Sequence, residues 1–189
     1  EELLAAGYDA VAIATPAGTH FEIGRQALEA GVDVFVEKPM TLDPEEARCL
    51  HEQALASERI LMVGHLLLYQ PAIAFIADYL QAGKLGKVYT MHQRRSKLGR
   101  VRDEENVMWS FGVHDVAVLL TLAGEMPTEV LACGHAAITP DIEDDTYLHL
   151  GFASGVKAHL HNSWLWPRIE RELLIVGERG MLVFDEPGS

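Results

Sequence analysis

Lys38 and His114 are the residues whose types are best suited to chemistry, and Glu37 directly precedes the lysine. The Glu-Lys pair follows an apolar run over 32–36, so it lies where a buried strand is expected to end. Ligands of open parallel sheets bind outside the carboxyl ends of the strands. A histidine titrates near neutral pH and can accept a proton, and a lysine can share that proton or stabilise an oxyanion. These residue types indicate acid–base chemistry on a ligand held at a sheet edge.

Alternating strand and helix signals surround the Glu-Lys pair. The predicted elements are a strand over 9–15, a helix over 19–30, a strand over 32–36, a helix that begins after Asp43 and a strand over 60–63. Thr19 and Glu22 have the spacing of a capping box, and Pro44 follows Asp43 at the first helical position. The alternation predicts a parallel sheet with right-handed crossovers. Its ligand edge would carry the loops 15–20, 37–39 and 64–65.

The pattern changes after residue 65. Helical spacing marks residues 71–80 and 113–120, while the polar residues 96–108 predict a loop. The predicted strands are 88–95, 128–133, 145–152, 155–165, 171–176 and 180–184. Short turns join several of these strands, so the second half is expected to hold a largely antiparallel sheet.

Four short motifs follow one another along the chain. In order they are Ala14-Thr15-Pro16 with His20 four residues later, Glu37-Lys38-Pro39, Val63-Gly64-His65 and Gly112-Val113-His114-Asp115. The ordered set, over nearly the whole chain, resembles the Gfo/Idh/MocA oxidoreductases. The resemblance implies an α/β fold, in which a partial Rossmann-like parallel sheet is followed by an α+β open-faced, mostly antiparallel sheet domain. Residues 1–65 would be the C-terminal part of an NAD(P)-binding domain, and residues 66–189 a substrate and oligomerisation domain that is incomplete at its C-terminus.

The resemblance also implies roles for individual residues. Those assigned to the cofactor, NAD or NADP, are Thr15, Pro16, His20, Glu37, Lys38 and Pro39. Lys38 would in addition reach the reacting hydroxyl, and His114 matches the histidine that exchanges a proton with it. Oxidation of a secondary alcohol moves a hydride to the nicotinamide and releases a proton from the oxygen, which suits a histidine base. A cationic nicotinamide would lower the pKa of Lys38, so that the lysine could share the proton or stabilise the oxyanion.

Two features depart from the family pattern. The family commonly has an aspartate four residues before this histidine, where Ser110 stands here. The segment 106–111 instead resembles the UDP-N-acetyl-amino-sugar 3-dehydrogenase-like subgroup. The sequence also contains no G-x-G-x-x-G turn, begins without methionine and ends just after a strand-like run. We therefore expect the chain to be a piece of a longer protein that lacks the first strands and the Gly-rich turn, and to be inactive alone.

Arg95, Asn106 and Trp109 are the candidates for contact with the substrate. The guanidinium of Arg95 could pair with a diphosphate or a carboxylate, and the other two precede the histidine closely. Each candidate also has a structural interpretation. Arg95 would then be a surface or interface charge, Lys38 would form an ion pair with Glu37, and His114 would bond to a backbone carbonyl.

No metal site is predicted, although three histidines invite one. His159 and His161 would point to the same face of a strand, and His149 could join them from a neighbouring strand. A His-x-His pair on a half-solvated sheet is common without metal, and the sequence suggests no carboxylate to support such a site. The expected site therefore contains no metal ion.

Composition restricts the class of protein and its partners. The net charge of −13, from 15 basic and 28 acidic residues, argues against binding to nucleic acid. Cys49 and Cys133 match no zinc or redox spacing and are expected to be reduced core residues, which favours the cytoplasm. No apolar run approaches the ~18 residues of a membrane helix. The expected partners are a sugar or sugar-nucleotide substrate and further copies of the chain, in a homodimer or homotetramer.

The resemblance predicts an NAD(P)-dependent oxidoreductase that acts on a secondary alcohol of a sugar or sugar nucleotide. An alternative within the same family is a glycoside hydrolase-like enzyme that uses the cofactor transiently. A further alternative is a non-catalytic member that keeps only the fold. The presence of both Lys38 and His114 favours an enzyme.

Overall fold

The computed structural model describes residues 7–99, Arg102 and residues 105–186, and the chain divides into two units, Glu1–His65 and Leu66–Ser189. In the described part of the first unit, parallel strands alternate with helices. These elements are β1 (Ala10–Ile13), α1 (His20–Glu29), β2 (Asp33–Val36), α2 (Pro44–Ala56) and β3 (Leu61–Val63). The strand order is β1-β2-β3, and both pairings are parallel. The predicted parallel sheet is therefore confirmed.

The core of the first unit lies between this sheet and its helices. Its buried apolar residues are Ile13, Ala27, Leu28, Val32, Val34, Val36, Leu50 and Ala54. Leu28 of α1 and Leu50 of α2 are each 1% exposed, so both helices bury an apolar face. Full burial of a leucine side chain stabilises a fold by about 1.5–3 kcal/mol, which makes these two residues principal anchors of the helices.

Both predicted helix starts in this unit are confirmed, but the two predicted side-chain caps differ in outcome. Asp43 caps α2 as expected, because its Oδ1 accepts a hydrogen bond of 2.7 Å from the Glu45 N–H, and Pro44 begins the helix. The capping box predicted at Thr19 was wrong. Residues Ala17–Thr19 already form a 3-10 turn, and the Thr19 hydroxyl donates to the Pro16 carbonyl at 2.7 Å. The hydroxyl is therefore used by the turn that precedes α1.

The described residues of the second unit form a six-stranded sheet with helices. Its α-helices are α3 (Pro71–Gln81) and α4 (Val113–Ala123). Its strands are β4 (Val88–Ser96), β5 (Pro127–His135), β6 (Asp145–Phe152), β7 (Lys157–Ser163), β8 (Glu170–Gly177) and β9 (Gly180–Asp185). The strand order is β5-β6-β7-β4-β8-β9, in which only β4 and β7 pair in parallel. The mostly antiparallel sheet is confirmed.

A π-helical turn, Met108–Gly112, leads directly into α4. The sequence predicted a loop over 96–108, a prediction that lies partly outside the described residues. Where the structure describes this segment, helical backbone begins at Val107. The π turn therefore lengthens α4, the helix that carries His114, at its N-terminal end.

The two faces of the larger sheet differ in character. One face packs against α3 and α4, and its core includes Ile73 and Ile76 of α3, Leu119 of α4, Met91 of β4 and Leu160 of β7. The opposite face, which we call the polar face, carries the alternate residues of each strand. On its central strands these residues include Asp145, Tyr147, His149, His159, His161, His92, Arg94, Glu170 and Glu172.

The cysteines are not core residues, and this prediction was wrong. Both Cys49 and Cys133 are exposed free thiols. Successive side chains of a helix point about 100° apart, so the burial of Leu50 turns Cys49 outward. Cys133 lies on β5, the edge strand of the larger sheet. Within residues 7–99, 102 and 105–186, the helices are too short or too polar to cross a membrane.

Candidate functional site

The loops that follow β1, β2 and β3 lie at one edge of the first sheet, because the strands are parallel. The Glu37 N–H donates to the Ile13 carbonyl at 2.9 Å, and the Gly64 N–H donates to the Val36 carbonyl at 2.8 Å. The strand ends are thus joined across the edge. The structure places there the sequence-predicted residues Thr15, Pro16, Glu37, Lys38 and Pro39.

The Glu37 carboxylate lies beside the end of β3. Its Oε2 accepts a hydrogen bond of 3.3 Å from the Lys38 N–H. A Cβ atom at Gly64 would stand 3.2 Å from that same oxygen and 3.2 Å from Cζ of Phe35. Gly64 therefore leaves the space that the carboxylate occupies, a reason for this glycine that sequence spacing did not reveal.

Lys38 shares its surroundings with His65. Burial lowers the pKa of the His65 imidazole, and the positive charge of Lys38 lowers that pKa further, because a second cation disfavours the imidazolium. Both side chains are half-buried, and the Lys38–Pro39 peptide bond is cis. His65 therefore lies in the surroundings of Lys38, at the sheet edge where the sequence predicted the loop 64–65.

His20 holds two of the site loops together. Its ring is 1% exposed, with Nδ1 2.8 Å from the Pro39 carbonyl oxygen and Nε2 2.8 Å from the Thr15 carbonyl oxygen. These contacts join the loop after β1 to the loop after β2. The ring nitrogens are engaged by the protein itself, so the structure gives His20 a positioning role. Its predicted contact with the cofactor stays a prediction.

Hydroxyl groups order the loop after β1. The Thr19 hydroxyl donates to the Pro16 carbonyl, and the Thr15 and Thr19 hydroxyl oxygens are 2.7 Å apart. Because the Thr19 hydrogen is already used, the Thr15 hydroxyl is the donor in the second bond. Thr15 and Pro16 remain exposed, so this loop presents an ordered surface to a ligand.

In the second unit, Asn106 starts the helical segment that carries His114. Its Oδ1 accepts from the Trp109 N–H at 3.1 Å, and its Nδ2 donates to Glu143 Oε2 at 2.7 Å. The side chain is therefore a cap held by Glu143, a partner that the sequence did not indicate. His114 follows in the first turn of α4 and is half-buried, as is Trp109. Substrate contacts of Asn106 and Trp109 stay predictions.

Arg95 forms an ion pair with Asp115, the residue after His114. Its Nε lies 2.9 Å and 3.1 Å from the two carboxylate oxygens, and its side chain is 14% exposed. Burial raises the pKa of Asp115, and the charge of Arg95 and the amide donors Gln93 and Asn162 oppose that rise. The structure thus supplies a protein partner for Arg95, whose predicted pairing with a diphosphate stays a prediction.

Asp115 has a place in the site that the sequence interpretation missed. The buried residues of α4 are Asp115, Val118, Leu119 and Leu122. Their spacing is that of one helix face, so a carboxylate occupies a position that an apolar residue would normally fill. That mismatch between residue type and periodicity is the signal that could have identified it.

Three histidines meet on the polar face of the larger sheet. His149 and His159 are paired across β6 and β7, with their Nδ1 atoms 2.7 Å apart, and the His92 ring centroid lies 4.9 Å from that of His159. The Nδ1 contact requires one protonated and one unprotonated nitrogen, so two imidazolium rings cannot form it. In the part of the chain that the structure describes, no group of three or more His, Cys, Asp or Glu side chains could hold a metal ion.

This cluster predicts acid-dependent stability. Burial lowers the pKa of His159 from its ordinary value of 6.5, and charge on His92 and His149 lowers it further. The unfolded chain therefore binds this proton more readily, and the stabilisation, present above about pH 6.5, is lost as pH falls. We expect the melting temperature to fall between about pH 7.5 and 5.5, and His159→Gln to reduce that fall. His135→Gln, on exposed β5, is the control and should keep the wild-type slope. An unchanged slope in His159→Gln would contradict the assignment.

Comparison with known proteins places both units. Residues 1–65 match the sequence model of an oxidoreductase family with an NAD-binding Rossmann fold, and residues 73–183 match that of the GFO/IDH/MocA C-terminal domain. The chain is 34% identical, over 90% of its length, to a UDP-N-acetylglucosamine 3-dehydrogenase from Acidithiobacillus ferrooxidans and covers 52% of that protein. It is 27% identical, over 94% of its length, to a 2,7-anhydro-N-acetylneuraminate hydratase from Mediterraneibacter gnavus and covers 51% of it.

A solved structure shows the same architecture. The inositol dehydrogenase homolog from Azotobacter vinelandii, in complex with NADH and myo-inositol, superposes with a TM-score of 0.88 at 25% identity. The match covers 97% of this chain and 53% of that one. The chain thus spans about half the length of the curated relatives and solved structures it matches.

Proposed function

Because the chain belongs to the Gfo/Idh/MocA oxidoreductase family, we propose that it forms part of an NAD(P)-dependent enzyme that transfers a hydride between a secondary alcohol of a sugar or sugar nucleotide and nicotinamide. The observation that carries the proposal is the position of Glu37 and Lys38. They lie at the carboxyl edge of a parallel sheet, within residues that match an NAD-binding Rossmann model.

The residues at that edge fit the nicotinamide half of the cofactor. The Glu37 carboxylate can accept from ribose hydroxyls, and Thr15 and Pro16 offer an exposed, ordered surface beside it. His20 would keep the loops of Thr15 and Pro39 at a fixed separation. The sequence has no G-x-G-x-x-G turn, so we assign the pyrophosphate to no residue of this chain. The bound nicotinamide would supply the hydride acceptor.

In this proposal Lys38 and His114 manage the proton of the reacting hydroxyl. The Lys38 ammonium donates a hydrogen bond from Nζ to the substrate oxygen and stabilises the negative charge that develops there. An imidazole nitrogen of His114 accepts the hydroxyl proton. Lys38 is half-buried, and a charge in such a place stabilises a developing oxyanion more strongly than it would in water.

We propose a nucleotide-linked amino sugar as the substrate class. The support is the segment 106–111, which resembles that subgroup, and the 34% identity to a UDP-N-acetylglucosamine 3-dehydrogenase. A polyol is the competing substrate class, since a structural neighbour is bound to myo-inositol. A second candidate function, a reaction without net change in the nicotinamide, is supported by the identity to a hydratase.

We also propose that residues 66–189 contribute to a homodimer or homotetramer through the polar face of the larger sheet. Large apolar side chains are exposed there beside the histidine cluster, namely Leu131, Tyr147, Met181 and Val183. Leu131 and Tyr147 lie towards one edge of the sheet and Met181 and Val183 towards the other, so two groups of exposed apolar side chains flank the polar residues of this face. Exposed apolar groups with a polar surround are a feature of protein–protein contact surfaces.

Absorbance at about 340 nm tests the reaction class, because the reduced nicotinamide absorbs there. The experiment uses the intact protein, meaning the full gene product that contains this chain, with NAD or NADP and a set of UDP-linked amino sugars. We expect reduction with a UDP-amino sugar, and free N-acetylglucosamine and myo-inositol serve as matched controls. Reduction with myo-inositol alone would support the polyol class.

If none of the sugars reduces the cofactor, two outcomes are distinguished by cofactor binding and by conversion of the sugar. If cofactor binding is seen by calorimetry and a sugar is converted without net reduction, the second candidate function is correct. If the cofactor binds and no compound is converted, the proposed oxidoreductase activity is wrong.

A further inference from the structure

Asp115 is a carboxylate at a core position of α4. It is 0% exposed and shares one helix face with Val118, Leu119 and Leu122. Burial of a carboxylate costs several kcal/mol unless its oxygens are paired. The fold must therefore supply hydrogen-bond donors to both carboxylate oxygens.

Donors from two neighbouring strands meet the carboxylate. Arg95 of β4 donates from Nε to both oxygens, at 2.9 Å and 3.1 Å, and Gln93 of the same strand donates to Oδ1 at 3.2 Å. Asn162 of β7 donates to Oδ2 at 2.9 Å. Arg95 and Asn162 are register partners in the parallel β4–β7 pair. One side chain of α4 is thus fixed to the centre of the sheet.

Asn162 extends this connection to the turn before α4. A Cβ atom at Gly112 would stand 2.8 Å from Asn162 Oδ1 and 2.2 Å from Met108 Sδ. The last residue of the π turn therefore packs against the same amide that binds Asp115. The backbone is held on both sides of Val113 and His114, at residues 112 and 115.

We propose that Asp115 is a positioning residue that fixes the direction in which His114 projects from α4. The proposal rests on the proposed role of His114. Adjacent helical side chains are about 100° apart, so a helix turn that is anchored at residue 115 cannot rotate without moving residue 114. A buried ion pair adds little stability compared with an apolar residue of similar size, whereas it specifies one orientation.

Asp115→Asn tests the proposal, because it keeps the shape of the side chain and removes its charge. In the intact protein we expect kcat to fall about tenfold and KM to stay within about threefold, since orientation affects the reacting geometry more than binding. In the 189-residue chain, the midpoint of an NMR titration of the His114 ring should move to lower pH. The substitution removes the Asp115 anion and leaves the Arg95 charge without its neutralising partner, and both changes disfavour the imidazolium form of His114.

Asp144→Asn is the matched control. Asp144 also belongs to the second unit and is 0% exposed, but it lies between β5 and β6. Its carboxylate accepts hydrogen bonds from the N–H groups of Ala137 and Ile138, neither of which lies in a helix. We expect this variant to lose stability and keep the wild-type kcat and His114 titration. Equal effects of both variants on kcat and titration would overturn the proposal, as would an unchanged His114 titration and kcat in Asp115→Asn.

A second variant and a second measurement test the proposal if Asp115→Asn does not fold or if the wild-type protein is inactive. If Asp115→Asn does not fold, Asn162→Ala removes one donor and the contact to Gly112, and it should also lower kcat with KM within about threefold. A wild-type kcat in that variant would then overturn the proposal. If the wild-type intact protein shows no turnover, the proposed function fails, and the His114 titration alone decides the positioning role.

Discussion

Replacement of Lys38 by methionine is expected to lower the turnover of the intact protein at least about 100-fold, the low end for groups that transfer or stabilise a proton. A 100-fold loss corresponds to about 2.7 kcal/mol of transition-state stabilisation. Methionine has the length of the four-atom apolar stem of lysine and lacks only the ammonium group, so the half-buried site should remain filled. The loss would therefore report on the ammonium group and not on packing.

Steady-state rates at saturating cofactor and substrate measure this effect, and a thermal melt checks the fold. Lys87→Met is the matched control, because Lys87 is exposed and lies just before β4. Lys38→Arg separates two roles of the lysine, since arginine keeps the charge but does not release a proton. Wild-type turnover in Lys38→Met would refute the catalytic assignment.

Replacement of His114 by alanine is the second large effect, and we again expect at least about a 100-fold loss of kcat. The substitution removes the imidazole from a half-buried position in the first turn of α4 and leaves the buried Asp115 unchanged. Added free imidazole should restore part of the rate if the side chain accepts a proton.

The control for this variant is His51→Ala, an exposed histidine on α2. It should keep full turnover with and without imidazole. Lost activity that imidazole does not restore, together with a lowered melting temperature, would indicate a structural histidine. Full activity of His114→Ala would remove the residue from the mechanism.

The position of Lys38 was predictable because short-range patterns determine it. An apolar run that ends in Glu37 and Lys38 indicates a buried strand followed by a ligand edge, and the structure has β2 end at Val36. The Asp43 cap was predictable for the same reason, since a cap involves neighbours in the chain. Thr19 shows the limit of such patterns, because the preceding turn used its hydroxyl first.

The surroundings of His114 were not predictable, because distant residues form them. Helical spacing was recognised from Val113, Val116 and other half-buried residues, while the buried face begins at Asp115. Arg95, the partner of that carboxylate, lies on β4, which ends at residue 96. The parallel neighbour of β4 is β7, which begins 61 residues later, at residue 157. No local signal specifies such a pairing.

The parallel pairing of β4 with β7 also has a consequence for how the second unit folds. Hairpins β5–β6, β6–β7 and β8–β9 join strands that are neighbours in the chain, so they can form early. β4 comes first in sequence but occupies the interior between β7 and β8, so its contacts close the longest loops. The helix that bears His114 lies inside one of those loops. The packing around His114 is therefore among the last features to form and among the first lost when β4 detaches.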